Sequence, residues 1–311
     1  QLFEEYDFSK ITKVHPTKGS NAVGIIQLSD LHLNELVSII GNKYDFTVAS
    51  KRLQLLAERA INYFHYNGVK NVLIADCADK LNSDRRLDEL LNQATNRSNA
   101  TMLAVHLLKQ FILHINEYFN VTYAGVSGNE SRVHSEPGHS KIVATYNYDM
   151  TIFNILRYMF EDSDIDFIIG DPSELVVNIA NSNVLIMHGE NITGDVSKEV
   201  TRIKGKYADK GILIDYILFG HLHEARIADT YSRGASLVGD NDYSFKGLNL
   251  TGRASQNLHI FYTNKNRDSI KVDLQNTDGV KGYDIIKELE AYNAKSANKL
   301  HKEETVFKIV V

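Results

Sequence analysis

The sequence predicts an α/β fold built on a parallel sheet. Short β-branched apolar runs alternate with longer segments whose apolar residues recur at helical spacing, and the first three runs are joined by such segments. Five of the apolar runs also end in side chains that ligate metals. Open α/β sheets gather ligands in the crevice outside the carboxyl ends of their strands, so these ends are expected to meet.

Residues 1–22 are polar, broken by Pro16, Gly19 and Ser20, and read as an N-terminal arm. Val23 to Ser29 is a near-continuous apolar run, as expected for a strand covered on both faces, and it ends in Asp30-Leu31-His32. Phe46 to Tyr66 places Leu53, Leu56, Ala60, Ile61 and Phe64 on one helical face, and Gly68 closes that helix. The strand Asn71 to Ala75 follows at once and ends in Asp76, completing a right-handed βαβ unit. Residues 80–100 are polar and read as a surface insertion near the site. A second helix runs from Ala100 to Phe119, and a third strand, Val121 to Ser127, ends in Gly128-Asn129-Glu130. Ser131 to Ser140 is a loop carrying Arg132, His134 and His139. Tyr148 to Phe160 reads as a helix and 165–169 as a short strand.

From Leu175 the pattern becomes a hairpin, with apolar runs on either side of Asn181-Ser182-Asn183, and the second run ends in His188-Gly189. A second, more antiparallel sheet facing the first is therefore expected. Val196 to Lys210 is a basic helix. The strand Tyr216 to Phe219 then ends in Gly220-His221-Leu222-His223. A Gly/Ser/Asn-rich stretch spans 232–256, with strands expected at 258–263 and near 305–311 and a helix near 281–293. The expected organisation is an arm at 1–22, one domain at 23–265 and a small C-terminal extension at 266–311 packing on it.

A chain of 311 residues with 43% hydrophobic content can bury a sizeable core. Its formal charge of −5 and pI near 6.2 exclude coating of nucleic acid by bulk electrostatics, but not a nuclease that works through bound cations. The single Cys77 excludes an intramolecular disulfide and fits a reducing compartment. No apolar run approaches 18 residues, so no membrane span is expected and the chain reads as soluble and cytoplasmic. An Asn- and Lys-rich, Pro-poor composition fits a low-GC bacterium or its phage. The chain begins at Gln1 rather than Met, so the natural start is expected to lie elsewhere.

Neutral imidazole with carboxylate and amide oxygen is a donor set for transition metals. The ordered motifs Asp30-Leu31-His32, Asp76, Gly128-Asn129-Glu130, His188-Gly189 and Gly220-His221-Leu222-His223 resemble the signature of calcineurin-like metallophosphoesterases over roughly residues 23–240. The resemblance implies a four-layer αββα sandwich with a two-metal site between its sheets. Asp30, His32 and His223 would hold one metal, Asn129, His188 and His221 the other, and Asp76 would bridge. Asp79 reads as a loop residue. Two divalent ions, Mn²⁺ first and Fe or Zn²⁺ next, would bind a phosphate ester and convert water to hydroxide. Two departures from the signature stand out. Ala75 replaces the usual glycine before the bridging aspartate, and Glu130 replaces the usual histidine near the scissile phosphate.

Within that superfamily the chain is most similar to SbcD-like DNA-repair exonucleases, particularly their compact phage versions. The carriers are the run Gly128 to Arg132 and the segment Ser232 to Gln256. The implied activity is a DNA exonuclease hydrolysing phosphodiesters, with Glu130, Arg132 and His134 as candidate catalytic groups. Arg233, Tyr243 and Arg253 would contact substrate, cations gripping phosphate and the aromatic face stacking on a base. The alternatives are a small-molecule phosphodiesterase acting on cyclic or dinucleotide substrates, and a metal-containing binding protein weakened by Glu130. Single-stranded DNA or DNA ends are the expected partner, with no membrane, and an ATPase partner or a homodimer would complete the assembly.

Overall fold

The computed structural model describes residues 21–136, 138, 140–247 and 251–297. Residues 1–20 of the arm expected at 1–22, His139 and the strand expected near 305–311 lie outside the described residues. In chain order the elements are β1 (Ala22–Leu28), β2 (Val37–Ile39), β3 (Asn42–Tyr44), α1 (Phe46–Tyr66), β4 (Asn71–Asp76), α2 (Leu87–Leu91), α3 (Arg97–Asn116) and β5 (Asn120–Gly125). They continue with α4 (Lys141–Thr145), α5 (Tyr148–Met159), β6 (Asp166–Ile168), β7 (Glu174–Ile179), β8 (Ser182–Met187), α6 (Val196–Ala208), β9 (Tyr216–Phe219), β10 (Arg226–Ile227) and β11 (Tyr231–Arg233). A π-helical turn at Tyr243–Gly247, then β12 (Ser255–Tyr262), β13 (Arg267–Asp273) and α7 (Ile286–Ala291) complete the chain.

Two sheets carry the fold. The first runs β13-β12-β1-β4-β5-β6, with β1, β4, β5 and β6 parallel. The second runs β10-β11-β9-β8-β7 and is mixed rather than mainly antiparallel. The β7–β8 hairpin is antiparallel, turning at Ala180 and Asn181 in left-handed conformation, but β8, β9 and β11 run parallel. A separate two-stranded hairpin, β2–β3, joins the loop after β1 to α1.

Side-chain parity sorts the core into three layers. Even-numbered residues of β1 and β4, such as Ile26, Leu28, Val72 and Ile74, face α1, α3 and α5. Odd-numbered ones, Ile25, Leu73 and Ala75, face Val184, Ile186, Tyr216 and Leu218 of the second sheet. On that sheet's far side Leu185, Ile217 and Phe219 meet Val196 and Val200 of α6. The result is a four-layer αββα sandwich. Helix α1 starts where Asp45 accepts from the Val48 N–H at 2.8 Å, and its Phe64 lies over Gly24 of β1, where a side chain would crowd the ring.

Register aligns the functional edge. Leu28 pairs with Asp76 and Asp76 with Gly125, so β1, β4 and β5 end at one level. One buried amide then joins the sheets: Gln27 donates to the carbonyls of Phe219 (2.9 Å) and Ser232 (3.1 Å) and accepts from the Ser232 hydroxyl (2.7 Å). His259 approaches the same Gln27 oxygen at 3.1 Å.

The first sheet continues past residue 265, because β13 pairs with β12 along its whole length. The later segment lies along the outer helices, with His106 and Gln110 on the Asp284 carbonyl and His114 on the Tyr283 hydroxyl. Among the described residues no helix is long and apolar enough to cross a membrane. Gln27→Leu would remove the amide that bridges the sheets, leaving the Phe219 carbonyl to the Gly234 N–H and the Ser232 hydroxyl to the Asn257 amide. We expect it to lower the unfolding free energy by about 2–4 kcal/mol, read by urea denaturation.

Candidate metal centre

The loops after the aligned strands bond to one another before any side chain meets. Asp30 N–H donates to Ala78 O (3.1 Å), His32 N–H to Asp79 O (3.0 Å) and Leu33 N–H to Lys80 O (2.8 Å). Asp30, His32, Ala78, Asp79, His221 and His223 all hold left-handed φ values between 41° and 78°. Each such residue costs on the order of 1 kcal/mol or more, and strain of this kind persists where the surroundings enforce it, most often at functional sites.

The side chains then converge. His223 Nε2 lies 3.4 Å from Asp30 Oδ1 and 3.2 Å from His32 Nε2. His188 Nε2 lies 3.0 Å from Asp79 Oδ2 and 2.8 Å from Asn129 Oδ1. The His188 and His221 rings stand edge to face at 5.1 Å. Asp30 belongs to both groupings, Asp30-His32-His223 and Asp30-Asp79-His188, and it accepts the His221 N–H at 2.9 Å. Asp30, His32, Asp79 and His188 are buried, whereas the His223 side chain is 42% exposed at the mouth. Two imidazole nitrogens facing each other across 3.2 Å, beside a buried carboxylate, form a donor set that a cation would satisfy. The residues present therefore fit a metal.

Asp76 is not among these groups. It shares the even parity of Val72 and Ile74, so it points into the helix layer, where it pairs with Lys80, accepts the Tyr123 hydroxyl at 2.6 Å and accepts the Ala78 N–H at 3.0 Å. Asp79, read from the sequence as a loop residue, is the carboxylate that reaches the cleft. The pair Ala78-Asp79 repeats the small-residue-then-aspartate pattern of Ala75-Asp76 three residues on, and that repeat is the sequence signal for it. Asp149 in the first turn of α5 fixes the placement, accepting from the N–H groups of Asp79 (3.1 Å), Lys80 (2.8 Å) and Gly128 (2.9 Å). Glycine is required at 128, where a Cβ would collide with the Asp79 carboxylate, and at 220, where it would collide with that of Asp30.

The polar segment 80–100 holds the loop bearing Asn129. Arg85 donates to Asn129 O (2.7 Å) and His134 O (2.8 Å), and Arg97 to Glu130 O (3.2 Å) and Arg132 O (2.9 Å). Neither arginine stands out in the sequence. Asn129 Nδ2 donates to Glu130 Oε1 at 2.5 Å. Arg132 lies 3.4 Å from Glu190 and, with His188, Glu190 and Asn191, lines a cleft open to solvent. The His134 ring packs on Tyr146 and does not join the cluster. Arg233 is buried and satisfied by the Glu224 carbonyl (2.6 Å) and carboxylate (2.5 Å). Arg253 pairs with Asp273 at 2.5 Å, and Tyr243 is exposed on the π-helical turn.

Electrostatics divides the histidines. Burial, reinforced by His223, pulls His32 down to about 4. Burial opposes protonation of His188 as well, but the Asp79 carboxylate prevails and lifts it to about 10. Asp79 is held below the usual carboxylate range because His188 outweighs its burial. Burial and His188 lower His221, whereas Asp30 outweighs burial at His223 and raises it. The His188 ring is oriented by Nδ1, 2.9 Å from the Cys77 carbonyl, which leaves Nε2 for the cleft.

No protein-family model matches the sequence, and no curated protein matches it. Several solved structures are similar. The zinc complex of Vps29 from Entamoeba histolytica shares 12% identity over 81% of this chain and 99% of its own, with a TM-score of 0.35. A conserved uncharacterized protein from Streptococcus pneumoniae TIGR4, described as a predicted phosphoesterase, shares 13% over 81% and 98%, with a TM-score of 0.31. A 5'-nucleotidase from Candida albicans SC5314 shares 10% over 83% of this chain and 52% of its own, with a TM-score of 0.37. The architecture and site described above rest on this chain's own geometry.

A ligating imidazole must be neutral, so loading the site below about pH 10 displaces the His188 proton, and apparent affinity should fall up to about tenfold per pH unit on acidification. Titration calorimetry in buffers of differing ionisation enthalpy would detect that release. The same proton stabilises the ion-free fold fully below the unfolded histidine value near 6.5, and that stabilisation is lost as pH rises through about 10. Asp79→Asn should weaken ion binding and remove the pH-dependent stabilisation that the His188 proton gives the ion-free fold. Asp76→Asn should instead destabilise the fold by about 2–4 kcal/mol by leaving buried Lys80 with only the more distant Asp149 opposite it, as thermal unfolding and calorimetry would distinguish.

Proposed function

We propose that this chain is a metal-dependent phosphoesterase of the calcineurin-like type, hydrolysing phosphodiesters. The observation that carries the reading is the convergence of Asp30, His32, Asp79, Asn129, His188, His221 and His223 from five loops at one edge of two sheets, on a backbone strained at that edge. Asp30, His32 and His223 would hold one ion, and Asp79, Asn129, His188 and His221 a second, with Asp30 common to both. When bound, the ions supply positive charge that polarises a phosphoryl oxygen and activates water as the nucleophile.

The chain's own residues do the rest. His188 keeps Nε2 aimed at the cleft because its Nδ1 is held by the Cys77 carbonyl. His32 stays neutral near pH 7, ready to ligate. Arg132, which lines the same open cleft as His188, would turn from Glu190 to donate to a phosphate oxygen of a bound diester. Asp149 and Gly128 keep the Asp79 and Asn129 loops at their separation, so the donors are preorganised.

Within this reading, single-stranded DNA or DNA ends are the substrate we propose first, on the resemblance of the Gly128 to Arg132 run. A small nucleotide diester is the second. It is favoured by Arg233 and Arg253 already being paired with Glu224 and Asp273, which leaves fewer cations to track a strand's backbone.

The deciding assay supplies Mn²⁺ and compares end-labelled DNA, a cyclic dinucleotide and bis-p-nitrophenyl phosphate. We expect hydrolysis of at least one diester, reduced by at least about 100-fold in His221→Ala, with Arg132→Ala raising KM about tenfold. Bound metal without hydrolysis of any diester would overturn the reading and make the chain a binding module.

A further inference from the structure

A primary amide presents two ends of nearly equal size and opposite chemistry, an acceptor oxygen and a donor NH₂. Only the oxygen can ligate a cation. A half-turn of the Asn129 side chain would aim two N–H groups at the ion site, so something must select the other orientation.

We propose that Glu130 is a positioning residue that selects it, with Arg85 holding the pair in place; the proposal rests on the metal-binding reading above. Glu130 Oε1 lies 2.5 Å from Asn129 Nδ2 and accepts from it, with the Arg85 guanidinium beside the other carboxyl oxygen. That acceptor can face only the NH₂ end. The oxygen end is thereby turned to His188, where Oδ1 lies 2.8 Å from Nε2.

Side chains adjacent in sequence do not ordinarily meet, and this contact depends on the curl of the 128–134 loop. Arg85 enforces that curl through the Asn129 and His134 carbonyls, and its Nε is anchored on the Ser83 hydroxyl at 2.8 Å. The same guanidinium lies 3.7 Å from Glu130 Oε2, which makes no hydrogen bond of its own and is kept beside a positive charge. From below, the Glu130 N–H donates to Asp79 Oδ1 at 2.9 Å. A continuous set of contacts therefore runs Arg85, Glu130, Asn129, His188, Asp79. Glutamate at this position sets the direction of a ligand and need not transfer a proton.

The test is Mn²⁺ binding by titration calorimetry to the full chain as wild type, Glu130→Ala, Glu130→Gln, Asn129→Ala and the double variant Asn129→Ala/Glu130→Ala. Removing a residue that orients a ligand typically costs 10–100-fold in metal affinity, so Glu130→Ala should weaken one ion by roughly that factor. Glu130→Gln keeps the size of the side chain but can offer the amide an NH₂ as readily as an oxygen, so its affinity should fall between those of Glu130→Ala and wild type. In the Asn129→Ala background Glu130→Ala should cost nothing further, because the amide it orients is gone.

An equal loss in that background would overturn the proposal, since the effect would then be collapse of the loop. It would also be overturned by unchanged affinity in Glu130→Ala, or by a fall in kcat for Glu130→Gln at undiminished affinity, which would make the carboxyl a proton donor. If wild type binds no Mn²⁺, the metal reading itself fails and the proposal with it; unchanged binding in Glu130→Ala alone leaves that reading standing.

Discussion

A carboxylate buried at the seam between two sheets is the constraint on which the rest of this molecule depends. Asp30 has no access to water, and an unpaired ion in such a place would cost several kcal/mol. Its surroundings are arranged to meet that cost. His221 N–H donates to both its oxygens, Gly220 leaves room for it, and His223 stands within 3.4 Å. Its backbone is held as well, with its N–H on Ala78 and its carbonyl accepting from Leu237 N–H and the Ser236 hydroxyl. One residue thereby ties the loop after β1 to the loop after β4, to the loop after β9 and to the segment leading into β12.

The second consequence of burying charge is the layer beneath the cleft. Lys80, Asp76 and Asp149 form an ion group with no solvent access, and the free Asp149 acceptor capacity holds three backbone N–H groups of the two loops that carry Asp79 and Asn129. Such a group adds little net stability compared with an apolar core, but it discriminates strongly among loop geometries because any other arrangement leaves a charge unpaired. The left-handed residues of the edge are affordable because these contacts over-determine them. An ion bound only by the folded chain would offset the remaining strain through mass action.

Much of this was legible in the chain. The strands that end in Asp30, Asn129, His188 and His221 are short apolar runs bounded by turn residues, and the long helices show their buried stripe in Leu53, Leu56, Ala60 and Phe64. The exclusion of Asp76 was half legible. Its parity with Val72 and Ile74 is written in the sequence, but both faces of β4 are apolar, so periodicity does not say which face meets helices and which meets the second sheet. Arg85 and Arg97 were hidden for a different reason. They act on backbone carbonyls, and a carbonyl leaves no mark on the side chains that a sequence displays.

Local pattern by itself therefore determined the long helices, the principal strands, their order and most of the converging donors, because hydrophobic period and strand-end residue type are properties of contiguous chain. Only the tertiary structure decided that Asp79 and not Asp76 enters the cleft, that Arg233 is already satisfied by Glu224, and that Glu130 faces the amide of Asn129. Those outcomes depend on which face of a strand meets which layer and on which loops come to share a carboxylate. Distances across the fold set them, and no neighbourhood in the sequence contains those distances.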